Sequence, residues 1–158
     1  MPEAANVLDL LRGRGQTLAV AESLTGGRLA AALTAVPGAS AVFLGAVVAY
    51  ATALKIDVVG VPVALVEEYG VVSAECARAM AVGVRDLTGS SYALSTTGVA
   101  GPDPQDGRPV GTVFVGIAGP EGVVAHALSL TGDRLGIAEA TVRRALTILA
   151  DSLEAVER

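Results

Sequence analysis

The chain has 158 residues, 52% hydrophobic and 17% charged, a length and composition that predict one folded domain over 1–158 and exclude a disordered chain. Its single cysteine, Cys76, excludes an internal disulfide. Eleven Lys plus Arg against sixteen Asp plus Glu, a net charge of −5, give no basic footprint for nucleic acid or anionic lipid.

The first apolar stripe, Val7, Leu8 and Leu11, predicts a short helix over 4–13 with Gly13 as its stop. Residues 18–21 read as a buried strand, followed by the turn Glu22-Ser23-Leu24-Thr25-Gly26-Gly27 and a helix over 28–34. Residues 29–54 lack charge and are numerous enough to span a bilayer, but Pro37-Gly38 divides them. Each half reads better as a buried element, the second being a strand over 43–50. Charges at Glu3, Asp9, Arg12 and Arg14 break any signal-peptide pattern, so a soluble, cytoplasmic protein with no membrane partner is expected.

A short helix over 52–58 follows, and Pro62 opens another that ends near Gly70. Ser73 suits the N-cap of a helix running to Leu87, with Cys76, Met80, Val84 and Leu87 on its apolar face and Gly89 beyond its end. Residues 91–97, 113–118 and 123–130 are three more strands, the last two joined by Gly119-Pro120-Glu121-Gly122. The final helix starts near Asp133, buries Val142, Leu146, Leu149, Leu153 and Val156, and places Glu139 and Arg143 to pair on its wet face. Strands separated by helices, plus one hairpin, predict an α/β fold: a three-layer α/β/α sandwich with a mixed, largely parallel sheet.

In such sheets ligands gather at the carboxyl ends of the parallel strands. Three polar groups fall there. The first places Ser23 on a strand-to-helix turn, with the following helix N-terminus suited to an oxyanion or phosphate and Gly26-Gly27 allowing close backbone approach. An ordinary N-cap explains Ser23 equally well when it is taken alone. The second group, residues 50–55, ends in Lys55, the only lysine beside ten arginines. Arginine stays protonated, whereas a buried lysine can be neutral and act as a base. With a serine across the cleft, a nucleophile–base pair is the leading reading.

The third group, Thr96-Thr97-Gly98, opens a long loop to Gly111. Asp103 and Asp106 in it read as turn residues, and no metal site is expected. His126 reads as a sheet-face residue and Cys76 as core. Asp133 caps the last helix. Arg134, a cation opposing that helix dipole, reads as substrate-facing.

Read together, Ala21-Glu22-Ser23-Leu24-Thr25-Gly26-Gly27, Tyr50…Lys55, Thr97-Gly98-Val99-Ala100-Gly101-Pro102, Pro109-Val110-Gly111-Thr112 and Gly132-Asp133-Arg134 resemble the CinA C-terminal domain family over residues 5–155. This is the nicotinamide-nucleotide amidase family, with members described as competence/damage-inducible proteins. The resemblance implies a homodimeric α/β/α fold that deamidates nicotinamide mononucleotide with no cofactor or metal. It implies Ser23 as nucleophile, Lys55 as general base and Tyr50 as a third catalytic residue. Glu22, Thr25, Gly26, Gly27, Thr97, Gly98, Ala100, Gly101 and Arg134 become the substrate-binding set. Ala51-Thr52 stands where the family often has Ser-Asn. Two other readings stay open: a Ser–Lys amidohydrolase of another small amide, and a binding module for a nucleotide or phosphate metabolite that performs no chemistry.

Overall fold

The computed structural model describes residues 1–156. Its elements in chain order are α1 (Pro2–Gly13), β1 (Leu18–Glu22), α2 (Arg28–Thr34), β2 (Phe43–Val48), α3 (Thr52–Asp57), α4 (Val63–Tyr69), α5 (Ala74–Thr88), β3 (Tyr92–Gly98), β4 (Thr112–Gly119), β5 (Gly122–Ser129) and α6 (Arg134–Val156). The five strands form one sheet in the order β2-β1-β3-β4-β5. β2, β1 and β3 run parallel, while β4 and β5 complete the sheet antiparallel.

Alternation along the strands sends side chains into two cores. Leu18 and Val20 of β1 and Leu94 of β3 pack with buried residues of α1, α2 and α6. Ala19 and Ala21 of β1 and Ala93 of β3 face α5 instead. The residues on the α5 face are smaller, and that helix sits close. A Cβ on Gly116 of β4 would come 2.3 Å from the Ala77 carbonyl, so only glycine fits there.

The caps follow from residue chemistry. The Ser73 hydroxyl accepts from the Cys76 N–H at 3.1 Å, and Gly89 ends α5 in the left-handed region. Asp133 accepts from the Gly136 N–H at 2.8 Å and opens α6. Several boundaries differ from expectation. Pro2 starts α1 two residues earlier, Pro62 is the N-cap of α4 rather than part of its first turn, and a 3₁₀ turn occupies Ala39–Ala41.

β2 is the larger correction. It stops at Val48 and alternates half-buried with exposed, because it is an edge strand rather than a doubly covered one. Leu87 and Val156 end exposed, each in the last turn of its helix, where the helix overhangs the core. Glu139 and Arg143 form no ion pair among the described residues. No described helix is long and apolar enough to cross a membrane.

The topology opens a crevice. The chain leaves β1 toward β2 and leaves β3 toward β4, so the two exits diverge above neighbouring strands. This is where α/β sheets place ligands.

Candidate active site

Ser23 follows β1 directly, and its position is fixed by the sheet. Its N–H donates to the Thr96 carbonyl at 3.0 Å, while the Ala49 N–H donates to the Glu22 carbonyl at 2.8 Å, so the ladder extends to the strand tips. Glu22 is fully buried beneath the turn. Its carboxyl group accepts from the Gly27, Leu29 and Ala30 N–H groups at 3.2, 2.9 and 3.0 Å and from Thr25 Oγ1 at 2.6 Å. Thr25 Oγ1 lies 2.9 Å from Thr96 Oγ1 as well.

Two expectations change here. Glu22, not Ser23, satisfies the start of α2, so the serine hydroxyl is not spent on capping. The α2 N–H groups that looked suited to an anion are already occupied. Glu22 and Thr25 are buried scaffold, and Gly26 and Gly27, at φ 56° and 97°, turn the backbone so that α2 can reach that carboxyl. None of these four lines the cleft.

Lys55 comes from the opposite wall. It is the one buried residue of α3, a six-residue helix whose other side chains are exposed or half-buried. Only 2% of Lys55 is exposed. Its Nζ lies 2.9 Å from Ser23 Oγ, 2.8 Å from the Ala49 carbonyl and 3.3 Å from the Tyr50 carbonyl. Among the described residues no carboxylate lies within ion-pairing distance of it. A buried cation without a counter-ion is costly, and burial pushes the Lys55 amine below its ordinary pKa of 10.5; weaker influences from Cys76 and Asp106 oppose that shift.

Nζ is placed to donate to all three oxygens, and loss of one proton leaves the geometry in place. In the neutral amine two N–H groups serve the two carbonyls, and the lone pair is then free to accept from the Ser23 O–H. The shift also costs stability. The unfolded chain binds that proton more readily, so the cost vanishes above pH 10.5 and grows as pH falls toward the folded midpoint. Cys76 is a neutral thiol nearby, its pKa pushed up to about 11 by burial.

The cleft above this pair encloses about 160 Å³ and is lined by Ser23, Leu24, Tyr50, Thr52, Lys55, Val71, Val72, Thr97, Gly98, Val99, Ala100, Gly101, Asp103, Gln105 and Arg134. Thr97, Gly98, Ala100 and Gly101 thus meet Ser23 and Lys55 as the motif order suggested. The Thr97 hydroxyl, however, donates to the Val71 carbonyl at 2.6 Å. Tyr50 is 59% exposed at the rim, where its hydroxyl accepts from Arg134 Nη1 at 3.0 Å. Seven lining positions, Leu24, Thr52, Val71, Val72, Val99, Asp103 and Gln105, fall outside the expected set. Asp103 reads as a turn residue and Thr52 as the start of a short helix, Leu24 and Val99 lie within the motifs without a role of their own, and nothing in the sequence singles out Val71, Val72 or Gln105. Among the described residues no three His, Cys, Asp or Glu side chains gather as a metal site.

A family model for the CinA C-terminal domain matches residues 2–153. The chain belongs to the CinA C-terminal domain family. Among its CinA relatives, the CinA-like protein of Frankia casuarinae is 52% identical over 143 residues, covering 90% of this chain and 33% of that protein. A putative competence-damage inducible protein of Geobacillus sp. is 44% identical over 147 residues, 92% of this chain and 35% of that protein. The chain therefore spans about one third of the length of the curated relatives it matches.

Solved structures agree on the CinA fold. A CinA superfamily protein from Klebsiella pneumoniae superposes with a TM-score of 0.94 at 32% identity, covering 98% of this chain and 97% of that one. The competence/damage inducible protein CihA from Agrobacterium tumefaciens gives 0.91 at 33% identity, covering 97% and 94%.

Proposed function

We propose that this CinA domain is a serine–lysine amidohydrolase that converts nicotinamide mononucleotide and water to nicotinate mononucleotide and ammonia. The observation that carries the reading is the 2.9 Å approach of a buried amine, with no carboxylate partner among the described residues, to a serine hydroxyl on the cleft floor. Neutral Lys55 takes the Ser23 proton as Oγ attacks the carboxamide carbon. The resulting tetrahedral intermediate collapses, and its nitrogen leaves as ammonia with the proton returned by Lys55. That leaves an ester between Ser23 and the pyridine carbonyl. Water, deprotonated by Lys55, then cleaves the ester and restores the serine hydroxyl. The positive charge of the pyridinium ring makes its amide carbon more electrophilic and opposes reprotonation of Lys55.

With the α2 N-terminus occupied by Glu22, Arg134 at the opening of α6, the one arginine among the described cleft-lining residues, is assigned the substrate phosphate. A guanidinium carries five N–H donors, and Tyr50 takes one. The test is ammonia release by the purified chain from nicotinamide mononucleotide, from the riboside lacking phosphate, and from a panel of small amides. Arg134→Ala is expected to lower kcat/KM for the mononucleotide by roughly 10- to 100-fold, the worth of a charged hydrogen bond, and to change turnover of the riboside little. Equal turnover of mononucleotide and riboside by the wild type would move the substrate elsewhere. Stoichiometric binding without ammonia would leave a binding module.

A further inference from the structure

Gln105 and Arg108 exchange backbone hydrogen bonds at 3.2 and 2.8 Å, with Asp106 and Gly107 between them at φ 51° and 69°. This is a two-residue turn with both central residues left-handed, for which Asp-Gly is a favoured pair. Turn preference explains the residue types but not where the aspartate side chain goes. In turns, an aspartate commonly bonds its own backbone two residues on. The Asp106 carboxylate instead accepts from the Val71 N–H, 35 positions away, at 3.1 Å.

The carbonyl of Val71 is held too, by the Thr97 hydroxyl at 2.6 Å. Both backbone groups of Val71 are therefore gripped, one from the end of β3 and one from the loop that follows it. The fit is close: a Cβ on Gly70 would come 3.2 Å from Asp106 Oδ2. Val71 and Val72 form one wall of the cleft, and Asp103 and Gln105 belong to another. Asp106 is also the only non-glycine residue with positive φ among those described. Such an uncommon backbone state persists where surrounding contacts determine it.

We propose that Asp106 is a positioning residue for the substrate cleft: its carboxylate latches the 98–111 loop to the Gly70–Val72 turn and holds two cleft walls in fixed relation around the bound substrate. Its effect on turnover rests on the amidohydrolase reading; the latch itself does not.

The experiment pairs amide hydrogen exchange of Val71 with steady-state kinetics on nicotinamide mononucleotide, using the full chain. Asp106→Gly accepts the same φ and keeps the turn while removing the acceptor. It is expected to speed Val71 exchange about tenfold or more. It should raise KM about tenfold with kcat within about threefold, the signature of lost uniform binding. Asp106→Asn, which tolerates the left-handed region and retains an acceptor oxygen, should restore both to within about threefold of wild type. Unchanged Val71 exchange in the glycine variant overturns the latch. Faster exchange with unchanged KM overturns its role at the site, and an asparagine variant as impaired as the glycine one overturns the role of the acceptor oxygen. If the wild type hydrolyses no amide, the functional reading falls and the exchange data alone decide the latch.

Discussion

Lys55→Arg is expected to abolish amide hydrolysis, lowering kcat by about 10³-fold or more, the upper range for losing a general base that also activates the nucleophile. Arginine preserves positive charge and donors but cannot lose its proton at any working pH. A purely electrostatic or positioning role for residue 55 would tolerate the exchange; a base would not. The wild-type rate should climb from the acid side as Lys55 deprotonates, with its half-maximal point below pH 10.5, because burial lowers that midpoint. Ser23→Ala should match the loss, and the double variant should lose little more, since the two side chains act as one unit. Arginine also places an unpaired cation in the Lys55 pocket, so thermal unfolding of the variant is followed alongside. A folded Lys55→Arg protein retaining a tenth of the wild-type kcat removes the base from the mechanism.

The second large effect is on stability. Glu22→Ala deprives the Gly27, Leu29 and Ala30 N–H groups of their shared acceptor, while the Thr25 hydroxyl keeps Thr96 Oγ1 as a partner. Orphaned buried donors cost about 1–3 kcal/mol each, and water reaching the less buried ones softens the sum to about 3 kcal/mol. For a domain of this size that is a fall in Tm of about 6–12 °C. Glu22→Gln, which keeps one acceptor oxygen, should fall in between. The melting curve checks both variants; an alanine variant melting with the wild type would show that Glu22 does not hold the turn on which Ser23 sits.

The alternation of strands and helices was enough to place Ser23, Lys55 and Thr97 at one edge of a sheet, because crossover rules leave few arrangements for such a chain. Lys55 was visible for a chemical reason: it is the single lysine among ten arginines. Glu22 is buried beneath the turn, a placement hidden in the sequence because nothing local tells which of two adjacent polar residues turns inward. The positive φ values at Gly26 and Gly27 decide that, by bringing α2 back over the Glu22 carboxyl. Nothing in the sequence marks Val71 and Val72, because their place in the cleft depends on residues further along the chain, Thr97 and Asp106, that hold Val71. Edge position was equally hidden for β2, whose apolar run reads like that of a central strand until strand order is known.

The protonation state of Lys55 is the point on which the account turns, and the chain offers a direct view of it. With one lysine in the sequence, carbon-13 labelling at lysine Cε gives a single side-chain resonance whose shift follows the amine through its titration. The midpoint is expected below 10.5 in the folded protein, with a return to the ordinary value on unfolding. An amine that titrates at its ordinary pKa while folded, charged throughout the neutral range, would contradict the account.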